Sequence, residues 1–222
     1  MKRALALISC ILSFSYCFAQ EKDLVINASS LFYDREKGII EATGSVEAQF
    51  RTTYITGNHM IYNSTSREAY LDSGFGLKFD ELLFTGQTLK YNLNKENGFA
   101  TAVKIKYDKA NISGDNVLFD REKVKLKNAV FEACGLAPPH YRLSAAEINL
   151  FQKQGWLVAY WGIFWLGNFP SIPIPVYVYD FLAEQKGEKN IMPYPEFGSD
   201  VENVPFIQET LSWNLRPDLN GN

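Results

Sequence analysis

Cysteine and histidine are scarce in this sequence of 222 residues, which contains three cysteines and two histidines. His59 occupies a position of a repeated motif, described below, where the other copies have the polar residues Ser30, Thr88, Asn116 and Glu147, which predicts an exposed strand residue. His140 follows two prolines in a predicted loop. No spacing of carboxylates or cysteines completes a metal site around them. No catalytic motif occurs elsewhere, so we expect a non-enzymatic protein without a metal or cofactor.

An excess of charge and a membrane-spanning run are lacking as well. The 22 basic and 25 acidic residues nearly balance, which does not suggest a nucleic-acid-binding protein. The apolar run at 4–18 is shorter than the roughly 20 residues that a spanning helix needs. It follows two basic residues and ends in small residues before Gln20, the pattern of a secretory signal peptide. We therefore expect residues 1–19 to be removed on export, which leaves Cys134 as the one cysteine.

What the sequence does contain is an internal repeat of nine residues. Its pattern is an apolar residue, Thr/Ser/Asn, Gly or Ala, two mostly polar residues, an apolar residue, any residue, Tyr/Phe and Asp/Asn. Copies begin at Ile26, Ile55, Phe84 and Ile112, and a degraded copy begins at Leu143, at intervals of 29, 29, 28 and 31 residues. A fixed period of this kind marks stacked units, each of which needs a neighbour to bury its apolar face.

Each repeat is predicted to contain two β-strands. A turn follows the final Asp/Asn, and apolar and polar residues then alternate with the period of a half-buried strand. In the third repeat this alternation places Phe99, Val103, Ile105 and Tyr107 on one face. Within the motif the first apolar residue and the later ones differ in parity, so the strand must turn a corner at the Gly or Ala. The predicted fold is all-β, an elongated β-jellyroll or solenoid of five such repeats with an apolar interior.

Two interpretations of that interior follow from the pattern. It is either a packed core like that of any β-sandwich, or a groove that stays open along one side and holds acyl chains. Alternation alone does not distinguish these. The residues predicted to line a groove are Ile40, Val46, Phe50, Met60, Leu71, Phe75, Leu89, Val103, Ile105 and Val117.

Two stretches add a resemblance to a known family. They read FEACGLAPPHYRLSAAEI at 131–148 and NFPSIPIPVYVYDF at 168–181. Together with the repeats they resemble the N-terminal periplasmic part of the LptD/OstA family of outer-membrane lipopolysaccharide-assembly proteins. The residues that fit the family pattern are Cys134, Pro138, Tyr141, Leu143, Ser144, Glu147, Pro170, Pro173, Pro175 and Tyr177.

The resemblance implies a function for the interior. In this family a β-jellyroll receives lipopolysaccharide from a periplasmic bridge protein and passes it towards an outer-membrane barrel, which a lipoprotein partner plugs. The resemblance therefore favours the open groove, and it implies that the protein is exported to the periplasm and the outer membrane. We expect a bridge jellyroll to dock at the free edge strand around 23–34, because an exposed sheet edge accepts a further strand.

The family also suggests roles for residues near the end of the chain. It implies that Cys134 forms a disulfide with a cysteine of the barrel; the alternative is a lone, buried and inert thiol. Aromatic residues and prolines mark either a membrane junction or a cap on the open end of the jellyroll. These residues are Trp156, Trp161, Trp165, Pro173, Pro175 and Tyr177.

Three segments are thus predicted: a signal peptide at 1–19, the jellyroll at 20–180, and a linker with the start of the barrel region at 181–222. Because the sequence stops at Asn222, we expect a fragment that lacks the closed barrel. A soluble bridge protein of the same pathway, or a structural β-solenoid of the cell surface with a filled interior, is the alternative.

Overall fold

Residues 24–133, 139, 141–185, 196–199 and 205–208 are described by a computed structural model. Nearly all of them lie in β-strands, which confirms the predicted all-β class. The strands are β1 (Val25–Asn27), β2 (Ser30–Asp34), β3 (Ile39–Phe50), β4 (Thr53–Asn63), β5 (Glu68–Leu71), β6 (Phe75–Phe79), β7 (Leu82–Gly86), β8 (Thr88–Asn92), β9 (Asn97–Tyr107), β10 (Ala110–Phe119), β11 (Lys123–Glu132), β12 (Tyr141–Phe151), β13 (Trp156–Leu166), β14 (Phe169–Asp180), β15 (Glu196–Ser199) and β16 (Pro205–Gln208). A short helix, α1 (Phe181–Gln185), follows β14.

Strands β1 to β14 form one antiparallel sheet, and β15 pairs with β16 in a separate two-stranded sheet. Strands β1 and β2 both pair with β3 and form one edge of the large sheet. Among the described strands β14 pairs with β13 alone and forms the other edge. Between β4 and β9 the sheet contains four short strands in place of two long ones. Strands β5 and β6 both pair with β4, and strands β7 and β8 both pair with β9.

The long strands bend along a line that we call the corner. At the corner the pairing is interrupted: the register of β3 against β4 shifts between Thr43 and Val46, and Ala102 has no partner in the pairing of β9 with β10. Residues with left-handed φ angles occupy the corner on every second strand. They are Ser45 (48°), Gly74 (86°), Ala102 (49°), Asn128 (49°) and Trp161 (54°). Such a bulge reverses which alternate residues of the strand face inward. The apolar residues on both sides of the bulge can therefore point into the interior.

The corner folds the sheet into two layers whose inner faces pack together. Layer 1 contains β2, β5, β8 and the halves of the long strands that adjoin the turns after Asp34, Asn63, Asn92 and Asp120. Layer 2 contains β1, β6, β7 and the other halves. We call the side opposite the corner, where the turns of the two layers face each other, the mouth. The inner residues of both layers form one continuous apolar cluster.

The final Asp/Asn of the repeat closes the turns of layer 1. In Asp34, Asn63, Asn92 and Asp120 the side-chain Oδ1 accepts hydrogen bonds from the backbone N–H groups two and three residues later, at 2.8–3.1 Å. These Asx turns explain why the motif ends in a short acceptor side chain. The fifth copy ends in Phe151 instead, and there the turn closes through the N–H of Gly155 and the carbonyl of Gln152.

The motif glycines lie at the corner, as the parity change predicts, but close packing is the reason for them. Gly57, Gly86 and Gly114 have no left-handed φ angle. A Cβ on Gly86 would lie 2.7 Å from Cε1 of Phe75 and 2.9 Å from the carbonyl oxygen of Thr101. Glycine is therefore required by the near approach of the neighbouring strands, and the left-handed bulges lie on the strands between the motifs.

One predicted strand face is wrong. The alternation placed Phe99 on the same face as Val103 and Ile105, yet Phe99 is 39% exposed on the outside and Ala100 takes the inner position. The cause is the bulge at Ala102, which shifts the parity within β9. The predicted end of the jellyroll at residue 180 stays a prediction; Phe181 of α1, the next residue, packs into the core cluster.

Candidate functional site

The apolar interior contains the residues that the sequence predicts for a lipid groove. Val46, Phe50, Met60, Leu71, Phe75, Leu89, Val103, Ile105 and Val117 point inward, each at most 6% exposed, and Ile40 is partly buried against them. They come from both layers, so the pairing of strands brings them together as expected. In this structure their side chains pack against one another between the layers, in one continuous apolar cluster.

An aromatic cluster closes the mouth in the first half of the jellyroll. Phe84 of layer 2 lies 4.9 Å, between ring centroids, from Phe119 of layer 1. Phe79 also contacts Phe119, at 5.5 Å, and Tyr91 stacks on Phe119 at 6.0 Å. Tyr91 and Phe119 occupy the eighth motif position, as Tyr62 does. That recurring aromatic position is a signal in the sequence for this cluster, which the choice of groove residues overlooked.

A second aromatic cluster closes the mouth near β14. Phe181, the first residue of α1, contacts Tyr107 of layer 2 at 4.8 Å and Tyr179 of layer 1 at 4.9 Å. Its N–H donates to the carbonyl of Gly155, and the Oδ1 of Asp180 accepts from the first turn of the helix. These bonds fix the helix start, so the Phe181 ring lies across the gap between the layers.

A buried carboxylate bridges the layers between these clusters. Glu96 lies in the turn between β8 and β9 in layer 1 and is only 7% exposed. Its Oε1 accepts a hydrogen bond of 2.8 Å from Nη1 of Arg51, which lies in the turn between β3 and β4 in layer 2. Its Oε2 contacts Nε of Arg121 from the next turn of layer 1. A buried carboxylate requires such compensation, because desolvation without partners is costly.

Beside this bridge the mouth contains a cavity of about 420 Å³. Its layer 2 side consists of Asp80, Glu81 and Tyr107, and its layer 1 side consists of Arg121, Gln152 and Lys153. Burial raises the pKa of Tyr107, and the nearby Glu81 and Asp108 carboxylates add to that rise. The cavity is thus an indentation in the mouth between residues of opposite charge.

The predicted docking strand lies at the free edge of the sheet. Strands β1 and β2 pair with β3 on one side. The side chains of Val25, Leu31, Phe32 and Tyr33 are between 52% and 64% exposed. This edge combines strand backbone with uncovered apolar surface, which is the chemistry that strand addition uses.

The residues predicted for a membrane junction have three different environments. Trp161 is 75% exposed at the corner of β13, and Pro173 and Pro175 are exposed on the edge strand β14. Trp156 and Trp165 are half-buried; Nε1 of Trp165 donates to Oγ of Ser144 at 2.7 Å. Tyr177 is 1% exposed inside the core, so of its two predicted roles this burial favours the cap on the jellyroll over the membrane junction. Phe169, 80% exposed, was overlooked.

The remaining polar features include one histidine cluster on the outer surface of layer 1. No group of three or more His, Cys, Asp or Glu side chains among the described residues is arranged to hold a metal ion. His59 lies on the outside of layer 1, with Nδ1 3.0 Å from Oδ1 of Asp72 and Nε2 3.2 Å from Oε1 of Glu41. The hydrogen bond to Asp72 raises the pKa of His59 most, and the bond to Glu41 adds to it. Cys134 and Pro138, named above for the family pattern, and His140 lie outside the described residues.

Within the described part of the chain, no helix is long and apolar enough to cross a membrane.

Comparison with known proteins gives similarity to LptD along most of the chain. No family model matches. The LPS-assembly protein LptD of Pseudoalteromonas translucida is 23% identical over 200 residues, which are 89% of this chain and 22% of that protein. LptD of Haemophilus influenzae is 22% identical over 87% of this chain and 26% of that protein. LptD of Neisseria meningitidis is 23% identical over 81% of this chain and 23% of that protein.

These matches confirm the resemblance predicted from the sequence, and the chain spans about a quarter of the length of the relatives it matches. Among solved structures, LptH of Pseudomonas aeruginosa, described as the LptA-homologous periplasmic component of a lipopolysaccharide transport device, aligns with a TM-score of 0.39 and 17% identity. That alignment covers 45% of this chain and 77% of LptH.

Proposed function

We propose that this chain is a lipopolysaccharide-transport module whose jellyroll receives acyl chains between its two layers. One observation carries the proposal: the evenly spaced repeats build a continuous apolar interior, in a chain similar to LptD over 89% of its length. Each methylene group transferred from water into such an interior contributes about 0.8 kcal/mol. The chemistry required of the protein is therefore shelter from water, and no reacting group is needed.

The packing of the interior means that acyl chains can bind only if some side chains move apart. Ring contacts across the layers, such as that between Phe84 and Phe119 at 4.9 Å, must separate before an acyl chain fits. Separating these rings offsets part of the free energy gained from burying methylenes, because close-packed side chains lose dispersion energy when they are parted. Binding is thus expected to be reversible, which suits a protein that passes its ligand onward.

A photocrosslinking pair tests the interior directly. Neighbouring residues of β7 face opposite ways: Phe84 is 1% exposed and Leu83 is 48% exposed. With p-benzoylphenylalanine at position 84, irradiation in the presence of lipopolysaccharide should yield a covalent adduct, and the same probe at position 83 should yield little. Equal labelling at both positions, or none at 84 while the variant stays folded, would contradict the proposal.

Docking of a periplasmic bridge jellyroll is assigned to the β1–β2 edge. The opposite edge is less suited, because Pro173 and Pro175 of β14 have no N–H to donate to an added strand. Head-to-tail assembly would then extend the sheet from β1 and β2 only. A crosslinker at Leu31 should capture a purified bridge protein, whereas one at Val176 on β14 should not; capture at Val176 alone would reverse the assignment.

The exposed aromatic residues near β14 are assigned to contact with the outer membrane after export, which the predicted signal peptide would direct. Trp161 and Phe169 are the most exposed large apolar side chains of this region, and tryptophan favours the headgroup level of a bilayer. Replacing both with serine should weaken flotation with phosphatidylethanolamine–phosphatidylglycerol vesicles. The matched control is Leu31→Ser at the other edge. An equal loss in the control variant would show that general surface hydrophobicity, and not this region, is responsible.

A structural role without transport is the second candidate, and the sealed interior favours it. The lining residues have the low exposure of an ordinary sandwich core. An apolar fluorophore separates the two functions: displacement of bound fluorophore by lipopolysaccharide supports transport, while a folded chain that binds neither supports the structural role.

A further inference from the structure

The two layers are joined differently at the corner and at the mouth. At the corner the backbone of each long strand runs from one layer into the other. At the mouth, the connections between the layers that involve described residues are side-chain contacts, and separating the layers there breaks no strand pairing among those residues. A ligand that reaches the interior sideways must therefore part side-chain contacts at the mouth, including the ion pair of Arg51 with Glu96.

The position of Glu96 is well defined. The turn that carries it is closed by the Asx bonds of Asn92, and Leu93 N–H donates to the carbonyl of Arg67 at 2.9 Å. Leu93 is itself fully buried. The carboxylate is thus held at the mouth by its own layer, and Arg51 reaches it from the other layer with a side chain that is half exposed. The more exposed partner of the pair is the arginine.

The other ion pairs between described residues do not cross the mouth. Lys90 and Glu68 join neighbouring strands of layer 1, with Nζ and Oε2 3.3 Å apart. Lys125 and Glu147 also lie within layer 1, at 2.7 Å. Opening the mouth leaves both of these pairs intact, so they provide matched controls for the pair that crosses it.

We propose that Arg51, Glu96 and Arg121 form an ionic latch that holds the mouth shut, and that acyl chains reach the interior through the mouth beside it when the latch opens. The inference rests on the proposed function. The cavity lined by Asp80, Glu81 and Arg121 adjoins the latch, so the ligand meets an indentation there and not a flat wall. Arg121 lies in the same layer as Glu96 and stays with it, while Arg51 withdraws with layer 2.

Distance measurement between the layers tests the latch without any ligand. Spin labels are placed at the exposed positions Thr52 in layer 2 and Asn94 in layer 1, in a chain whose native cysteines are replaced by serine. Glu96→Gln removes the charge at nearly constant volume. It should raise the population with a widened mouth roughly tenfold, the ratio expected for losing one charge-assisted hydrogen bond. Glu68→Gln, which breaks the Lys90 pair within layer 1, should leave the distances unchanged.

Substitutions of the two arginines show which ion pair holds the mouth shut. Arg51→Gln should widen the mouth as much as Glu96→Gln, and the double variant should add nothing, because both substitutions break the same pair. Arg121→Gln, within one layer, should have the smaller effect. Distances that stay at the wild-type value in folded Glu96→Gln and Arg51→Gln would overturn the latch.

Uptake of N-phenyl-1-naphthylamine tests the route. Glu96→Gln should take up this apolar fluorophore faster than the wild type by a similar factor, and 1 M salt should accelerate the wild type more than the variant, because salt screens a half-exposed pair. A flexible bis-maleimide bridge between Arg51→Cys and Glu96→Cys should slow uptake. Unchanged uptake in the bridged protein would overturn the route through the mouth. Absence of uptake in every variant, with widened distances, would count against the proposed function and leave the latch standing.

Discussion

The corner and the mouth bound the same interior but are held by different forces. At the corner, covalent strands and backbone bonds such as Gln87 N–H to the Thr101 carbonyl, at 3.0 Å, connect the layers. At the mouth, aromatic rings and one carboxylate do so. Side-chain contacts exchange far more readily than strand pairing, since local opening starts where backbone hydrogen bonds need not break. We therefore infer that, in the proposed transport function, the corner serves as the hinge and the mouth is the side that opens.

The largest expected effect concerns the packing at the mouth. Phe119→Ala removes the ring that contacts Phe79, Phe84 and Tyr91. It should lower the free energy of unfolding by about 3–5 kcal/mol, as for other buried phenylalanines. Urea denaturation measures the change. Leu118→Ala, one residue away and 55% exposed, should change it by less than about 0.5 kcal/mol. If both variants lowered the free energy of unfolding equally, the contacts of the Phe119 ring would not be what stabilises the mouth.

The next effect concerns the corner. Gly86→Ala places a methyl group 2.9 Å from the Thr101 carbonyl oxygen, a backbone atom that cannot turn away. Overpacking of this kind should cost about 2–3 kcal/mol. Gly167→Ala is the control, because its Cβ would meet nothing within 4 Å and only its φ of +54° opposes the change; about 1 kcal/mol is expected there. If the Gly86 variant is as stable as the wild type, the backbone at the corner can move to accommodate the methyl group. The corner would then not be the rigid connection that a hinge requires.

Much of this fold follows from the sequence because the repeat and the alternation report local geometry. The parity change within the motif located the corner, and the predicted inner residues Met60, Leu71 and Leu89 are buried. Phe99 was misplaced because the bulge responsible is at Ala102, a residue type with no preference for a left-handed φ. The conformation there is imposed by the neighbouring strands, which no local pattern records.

The features of the mouth were harder to predict for a different reason. Arg51 and Glu96 are 45 residues apart and lie in turns of different repeats. Their contact depends on the distance between the two layers at the mouth. That distance is set by the bend of every long strand at the corner, and so by the whole sheet. The aromatic residues at the eighth motif position are visible in the sequence. Their contacts across the layers, like the contact of Arg51 with Glu96, depend on the distance between the layers and could not be derived from alternation.

A smaller effect is expected from the Asx turns that border the mouth. Asp120→Ala removes the acceptor for the N–H groups of Glu122 and Lys123. By analogy with capping side chains, the loss should be about 1 kcal/mol in urea denaturation. Asp120→Asn keeps the Oδ1 acceptor, as Asn63 and Asn92 do in their own turns, and should be nearly neutral. If Asn proved as destabilising as Ala, the charge of Asp120 and not its turn would be responsible.

The smallest effect concerns His59, which joins β3 and β4 to the segment after β5 beside the corner. Its pKa is raised above the ordinary 6.5, chiefly by the bond to Asp72, and the pKa of Asp72 is lowered below 3.8 by the same bond. The stabilising contribution of His59 is therefore complete below pH 6.5 and is lost as the pH rises through the raised pKa. That of Asp72 is lost only as the pH falls below 3.8. The thermal midpoint of the wild type should thus decline from pH 6 to pH 8.5 relative to that of His59→Gln. Parallel curves for wild type and His59→Gln would show that the solvent screens this cluster completely, and that only the backbone holds the outside of the corner.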